Sequence, residues 1–256
     1  MNTQLRENIE RIIGEINKVN LLAEQGCTSD VRQINTEDGS YLIKSSFKEK
    51  YREWLKAEAM VLKKLNNKKL IRVPSYYGYI EDNDSSHLIM SFENGITLTS
   101  ALKQAKNIED KKALIRSFGH FLHQLHETDT IDLLSQKIDW LDKQLVKAES
   151  YVKHGQTEGS QQLLEKLKSN KPLPVKQTII HGDCTTDNVL VIDGEVRIFI
   201  DVSGMTVGDP RYDESLAIRS FINNDEYRKS FYEGYTRYRV SKNEFQYFDE
   251  GLYEFF

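Results

Sequence analysis

Apolar residues recur at Leu5, Ile9, Ile12, Ile13, Ile16 and Val19, a helical stripe that predicts a helix over residues 3–22. The period then shortens. Residues 31–34 and 41–43 read as strands on either side of Glu37-Asp38-Gly39-Ser40, a hairpin turn signal. Residues 48–66 carry a strong helical pattern, followed by Pro74 and strand-like runs over 76–80 and 87–92. Helical spacing returns over 98–104, 111–126 and 131–168, the last broken near His154-Gly155-Gln156 and closed by Lys171-Pro172-Leu173-Pro174. A hairpin over 178–201, a loop and C-terminal helices complete the chain. Strands come early and helices late. The pattern predicts an α+β protein divided near Asn94-Gly95, with a small sheet-rich lobe over 1–94 and a larger, mainly helical lobe over 95–256.

At 256 residues, 39% hydrophobic and 29% charged, the composition is that of a folded globular protein and excludes a disordered or fibrous one. No apolar run approaches the roughly 18 residues of a membrane helix, and residues 1–10 hold no apolar segment for a signal peptide. Cys27 and Cys184 are too few for a disulfide framework or a zinc site. A cytoplasmic protein without a membrane partner is expected. The net charge of −4 disfavours nucleic acid, and it is unevenly placed: residues 201–256 hold 11 acids against 7 bases. Ser241-x-x-Glu244 reads as a capping box that opens a final helix carrying Asp249, Glu250 and Glu254, an acidic surface.

The candidate chemistry lies between His181 and Asp201. Asp193-Gly194, flanked by apolar runs, is a two-residue hairpin signal that pairs Ile192 with Glu195. Stepping back, Asn188 pairs with Phe199, and Asp201 shares the face of Phe199 two residues on. Asp183 lies on the loop feeding the same end. Two carboxylates and an amide oxygen are hard ligands of the kind Mg²⁺ takes alongside water and phosphate oxygens.

This segment, His181-Gly182-Asp183, then Asn188, then a hairpin ending in Asp201, resembles the catalytic segment of the protein-kinase-like superfamily, and more closely its aminoglycoside phosphotransferase branch. The resemblance implies the bilobal kinase-like fold and an ATP-dependent transfer to a small-molecule hydroxyl. It makes Asp183 the base that orients the acceptor hydroxyl and takes its proton, Asn188 and Asp201 the Mg²⁺ ligands, and His181 a structural residue of the loop. Lys44, at the end of the strand Tyr41-Leu42-Ile43, is similar to the phosphate-pairing lysine of kinases. Its expected partner is Glu58, which sits in an apolar helix stripe with Trp54, Val61 and Leu65, where an unpaired charge is costly. Gly26, Thr28 and Ser29 occupy the place of the phosphate-covering loop. Ser91, Phe92 and Glu93 occupy that of the hinge whose backbone bonds adenine. Gly208-Asp209-Pro210-Arg211-Tyr212-Asp213 is similar to a motif of the same branch, with Asp209 and Asp213 read as scaffold. The histidines of residues 118–126 are read as structural, not as a metal site.

The acceptor site is expected from residues 129–176 and the C-terminal helices. Because 129–176 holds 7 acids and 8 bases, it lacks the acidic character suited to a polycationic drug. An aminoglycoside-type antibiotic, a choline-, homoserine- or sugar-like metabolite, and a silent nucleotide-binding homologue all stay open, as do monomer and dimer.

Overall fold

The computed structural model describes residues 3–22, 25–26, 28–66, 71–129, 134 and 139–256. It divides into two compact units, the first formed by residues 1–95 with 198–204, the second by 96–197 with 205–256. The short return of residues 198–204 to the first unit differs from a single cut near Asn94-Gly95.

In the first unit, α1 (Thr3–Ile13) buries Leu5, Ile9 and Ile13. The helix ends nine residues sooner than its apolar stripe suggests. Gly14, at φ +85°, takes the left-handed conformation that closes helices, and its N–H reaches the carbonyl of Glu10 at 2.9 Å. Ile16 and Val19 continue the apolar sequence but belong to a turn and to β1 (Lys18–Leu21). β2 (Asp30–Asn35) and β3 (Ser40–Ser46) form the expected hairpin. α2 (Glu49–Leu65) matches its sequence pattern closely, with Leu55, Ala59, Val61, Leu62 and Leu65 buried beside Glu58. β4 (Tyr76–Glu81) and β5 (Ser86–Ser91) complete an antiparallel sheet ordered β1-β2-β3-β5-β4. Its core joins Leu5, Ile9, Ile13 and Ile16 to Ile34, Tyr41, Ile43 and Ile89.

The second unit opens with β6 (Ile96–Thr97), α3 (Leu98–Gln104) and α4 (Ile108–Glu127). α5 (Trp140–Lys153) and α6 (Gln161–Ser169) follow, broken near His154 as expected. The start of that helical stretch, apart from Leu134, lies outside the described residues up to Ile138. β7 (Thr178–Ile180) is not part of the central hairpin: it pairs with β10 (Thr206–Gly208) as a separate two-stranded sheet. The hairpin itself is β8 (Val189–Ile192) and β9 (Glu195–Phe199). Asp193 at φ 53° and Gly194 at φ 79° give it two successive left-handed residues, as the twist of a two-residue hairpin demands.

α7 (Pro210–Ile218), α8 (Asp225–Gly234) and α9 (Lys242–Phe248) end the helical set. α4 and α8 pack closely enough that a Cβ on Gly119 would stand 2.1 Å from the Phe231 carbonyl, and one on Gly234 2.1 Å from that of Arg116. The capping box of α9 is present, with Ser241 and Glu244 bonding reciprocally. The acidic final helix is not. α9 stops at Phe248, so Asp249, Glu250 and Glu254 lie beyond it, partly in a 3₁₀ turn over Leu252–Phe255. Glu244 bonds the buried Arg211 guanidinium at 2.8 Å, and Asp249 lies 3.2 Å from that of Arg219. Both acids thus face arginines distant in sequence, though burial still pushes the Asp249 carboxyl up to about 6. Among the described residues no helix is long and apolar enough to cross a membrane.

Candidate active site

Each unit gathers one cluster of the candidate site residues. In the first, Lys44 on β3 sits opposite Leu88 of β5. Its Nζ donates to Oε1 and Oε2 of Glu58, both at 2.9 Å. The Glu58 side chain is 3% exposed on the buried face of α2, where a lone carboxylate would be costly, and the bidentate ammonium compensates it. Asp201 Oδ1 lies 3.4 Å from the same ammonium. Burial alone would lower the Lys44 pKa, but the charges of Asp201 and Glu58 carry it above the ordinary lysine value, so the ammonium stays charged at neutral pH.

Asp201 itself has φ 59°, a left-handed conformation that costs a residue with a side chain, and such strain gathers at functional sites. The segment after it, Val202–Gly204, packs against α2.

Gly26, Thr28 and Ser29 line a small cavity of about 40 Å³ together with Lys44, Glu58 and Asp201. The Ser29 hydroxyl is already bonded to Ser46 Oγ at 2.5 Å, and Ser46 also donates to the Thr28 carbonyl at 3.2 Å. Gln25 braces the same loop: its amide donates to the Leu22 and Val31 carbonyls and accepts the Val31 N–H at 2.8 Å. Sequence reasoning missed Gln25, since one polar residue beside a glycine carries no periodic signal. Ser91, Phe92 and Glu93 do not line this cavity. The Ser91 N–H donates to the Ser75 carbonyl at 2.9 Å and that of Phe92 to Ser40 at 3.3 Å, while the Ser91 hydroxyl donates to the Glu93 carboxylate.

The second unit brings Asp183 and Asn188 together. The loop that carries them leaves β7 and is held by Asp213, whose carboxylate accepts the N–H groups of His181 at 2.6 Å and Gly182 at 2.8 Å. Asp213 also lies 3.3 Å from His126 Nε2, and His126 Nδ1 is 2.8 Å from the Tyr235 hydroxyl. His126 is thus a buried structural histidine. His181, also buried, accepts the Asp183 N–H at 3.2 Å. Asp209 caps α7 by accepting the Arg211 N–H.

Asn188 Nδ2 donates to both the backbone carbonyl and the Oδ2 of Asp183, each at 2.8 Å. The amide nitrogen is therefore committed to Asp183. A third residue joins from the far end of the sequence: the Tyr253 hydroxyl donates to Asp183 Oδ1 at 3.3 Å. Nothing local marks Tyr253, which stands 70 residues beyond Asp183 on the terminal 3₁₀ turn. Among the described residues no group of three His, Cys, Asp or Glu side chains could enclose a metal.

A carboxylate oriented by two hydrogen bonds can take a hydroxyl proton, and an ammonium between carboxylates can grip phosphate oxygens. The fold is that of a kinase-like phosphotransferase. The chain belongs to the phosphotransferase enzyme family, whose sequence pattern matches residues 21–246. It is 25% identical over 220 residues to a probable aminoglycoside 3′-phosphotransferase of Lactococcus lactis subsp. lactis (strain IL1403), covering 81% of this chain and 79% of the relative. Its fold is similar to that of a type VIII aminoglycoside 3′-phosphotransferase (TM-score 0.76, 19% identity, all of both chains covered). It is also similar to that of a spectinomycin phosphotransferase solved with ADP and spectinomycin (TM-score 0.64, 19% identity, 97% and 83% covered).

Proposed function

We propose that this enzyme moves the γ-phosphoryl group of ATP to a hydroxyl of an aminoglycoside-type antibiotic. The observation that carries the reading is the Asp183 carboxylate, fixed by Asn188 and Tyr253 on a loop that Asp213 braces. In the proposed step the acceptor oxygen bonds to the γ-phosphorus, the bond from that phosphorus to the β–γ bridging oxygen breaks, and ADP leaves. The hydroxyl proton passes to Asp183, which also orients the attacking oxygen. Lys44, held by Glu58, grips the α- and β-phosphates; the backbone of Gly26, Thr28 and Ser29 covers them, and Ser91, Phe92 and Glu93 contact the adenine.

The donor chemistry fits Mg²⁺. Asp201 offers a half-exposed carboxylate and Asn188 an amide oxygen with its nitrogen already bonded, each a hard donor of the kind Mg²⁺ takes beside phosphate and water oxygens. Bound there, the ion would neutralise charge on the transferring phosphoryl group.

The names of the relatives favour the aminoglycoside acceptor. A less cationic acceptor, such as a homoserine- or sugar-like metabolite, is the second reading. It is favoured by the arginine partners of Glu244 and Asp249, which leave fewer free carboxylates to meet several ammonium groups. Coupled ADP release with ATP–Mg²⁺ across kanamycin, streptomycin, spectinomycin, hygromycin B, choline, homoserine and simple sugars separates them. Turnover above the no-acceptor rate with an aminoglycoside supports the first reading, and turnover confined to metabolites replaces it with the second. ATP binding without turnover on any acceptor indicates a silent homologue.

A further inference from the structure

We propose that Tyr253 is a positioning residue for the reaction, fixing the rotation of the Asp183 carboxylate from the side opposite Asn188. The inference rests on the reading of Asp183 as the base. Asp183 accepts at each carboxylate oxygen from a different donor: Asn188 Nδ2 at Oδ2, 2.8 Å, and Tyr253 Oη at Oδ1, 3.3 Å. The carboxylate torsion χ2 is broad, so one donor restrains it weakly. A second donor at the other oxygen narrows that rotation.

Tyr253 is itself held. The Arg219 guanidinium lies 4.5 Å over its ring, and Arg219 is anchored by Asp249 at 3.2 Å. On the next residue the backbone is pinned, because Thr157 Oγ1 donates to the Glu254 carbonyl at 3.0 Å. Burial, then the neighbouring Asp183 charge, pushes the Tyr253 hydroxyl up to about 12 against the opposing effect of Arg219, so the phenol stays a donor throughout the working range. The last turn of the chain thus reaches back to the catalytic loop through one side chain.

Tyr253→Phe deletes the hydroxyl and keeps the ring under Arg219, so the variant is expected to fold. In steady-state kinetics with ATP–Mg²⁺ and the panel acceptor of highest turnover, its kcat should fall about ten- to thirtyfold, as expected for a misoriented reacting group. KM for ATP should stay within about twofold, since a positioning effect of this kind is confined to the transition state. Loss of kcat without a change in KM for ATP supports the role. An unchanged kcat overturns it, as does a parallel loss of kcat and ATP affinity, which marks a general structural defect. Should Tyr253→Phe fail to fold, Arg219→Gln, which leaves the tyrosine and removes the cation on its ring, is read by the same split with a smaller loss of kcat. A direct readout of the contact is the ¹³Cζ resonance of labelled tyrosine, assigned to Tyr253 by its loss in Tyr253→Phe. It should move in Asp183→Asn, and an unmoved resonance overturns the inference. A wild type inert towards every acceptor overturns the phosphotransferase reading instead, and the positioning role falls with it.

Discussion

Glu58 and Asp183 are both carboxylates on which the proposed reaction depends, and the two units hold them by different means. Glu58, almost wholly buried, meets the Lys44 ammonium with both oxygens. Asp183 accepts from an amide and a phenol, both neutral donors. A buried ion pair balances charge and anchors geometry, but a carboxylate gripped that way has little left to offer a proton. Neutral donors orient a carboxylate while leaving its charge in place, which a general base requires. Glu214 completes the contrast. It too accepts from neutral donors, the Val240 N–H at 2.6 Å and the Tyr232 hydroxyl at 2.8 Å, yet its Oε2 is buried with no partner among the described residues. Burial pushes its pKa up to about 8. Orientation by neutral donors suits a base only where the carboxylate keeps some contact with solvent, as the partly exposed Asp183 does.

Lys44→Met should have the largest effect. It strands Glu58 without its counter-charge, an arrangement that costs about 3–5 kcal/mol when one partner of a buried pair is removed. Chemical denaturation should show that loss together with loss of ATP binding. The double variant Lys44→Met/Glu58→Leu should regain most of the stability and none of the nucleotide affinity. If it regains neither, the pair is not the source of the cost.

Asp201→Ala comes next. Mg²⁺-dependent ATP affinity should drop about 100-fold, the scale of losing support for a bound metal, with no loss of fold. Unchanged affinity in a calorimetric titration removes Asp201 from the metal site.

The smallest effect belongs to Glu214. Its folded pKa of about 8 exceeds the ordinary 4.5, so between those values the folded chain holds a proton that the unfolded chain releases. Stability from this group is full below about 4.5 and is lost as pH rises through about 8. Glu214→Gln should flatten the decline of Tm between about pH 4.5 and 8, and an unaltered decline assigns it to other groups.

Much of this arrangement was legible where the signal is local. The Asp193-Gly194 turn fixed the hairpin, the apolar stripe around Glu58 foretold α2 and its buried charge, and the five-residue spacing joined Asp183 to Asn188. The misses are places where a backbone conformation or a distant residue decides. The apolar stripe of α1 runs past Gly14, but a left-handed glycine ends the helix even with Ile16 and Val19 still in phase. Thr178–Ile180 looks like the first arm of the hairpin, yet its partner is Thr206–Gly208, beyond the turn. Glu244 and Asp249 read as an acidic surface because Arg211 and Arg219 are remote in sequence. The contact of Tyr253 with Asp183 left no local signal for the same reason.

The claim that Asp183 acts on the acceptor while Lys44, Glu58 and Asp201 serve the nucleotide is tested most directly on one variant, Asp183→Asn. Its ATP–Mg²⁺ affinity is measured by calorimetry, and formation of a phosphate ester on the acceptor is followed by ³¹P NMR. The account predicts wild-type nucleotide affinity and ester formation slowed about 10²–10⁴-fold, the contribution of a positioned general base. Ester formation above about a tenth of the wild-type rate, or ATP–Mg²⁺ binding lost along with it, would contradict the account.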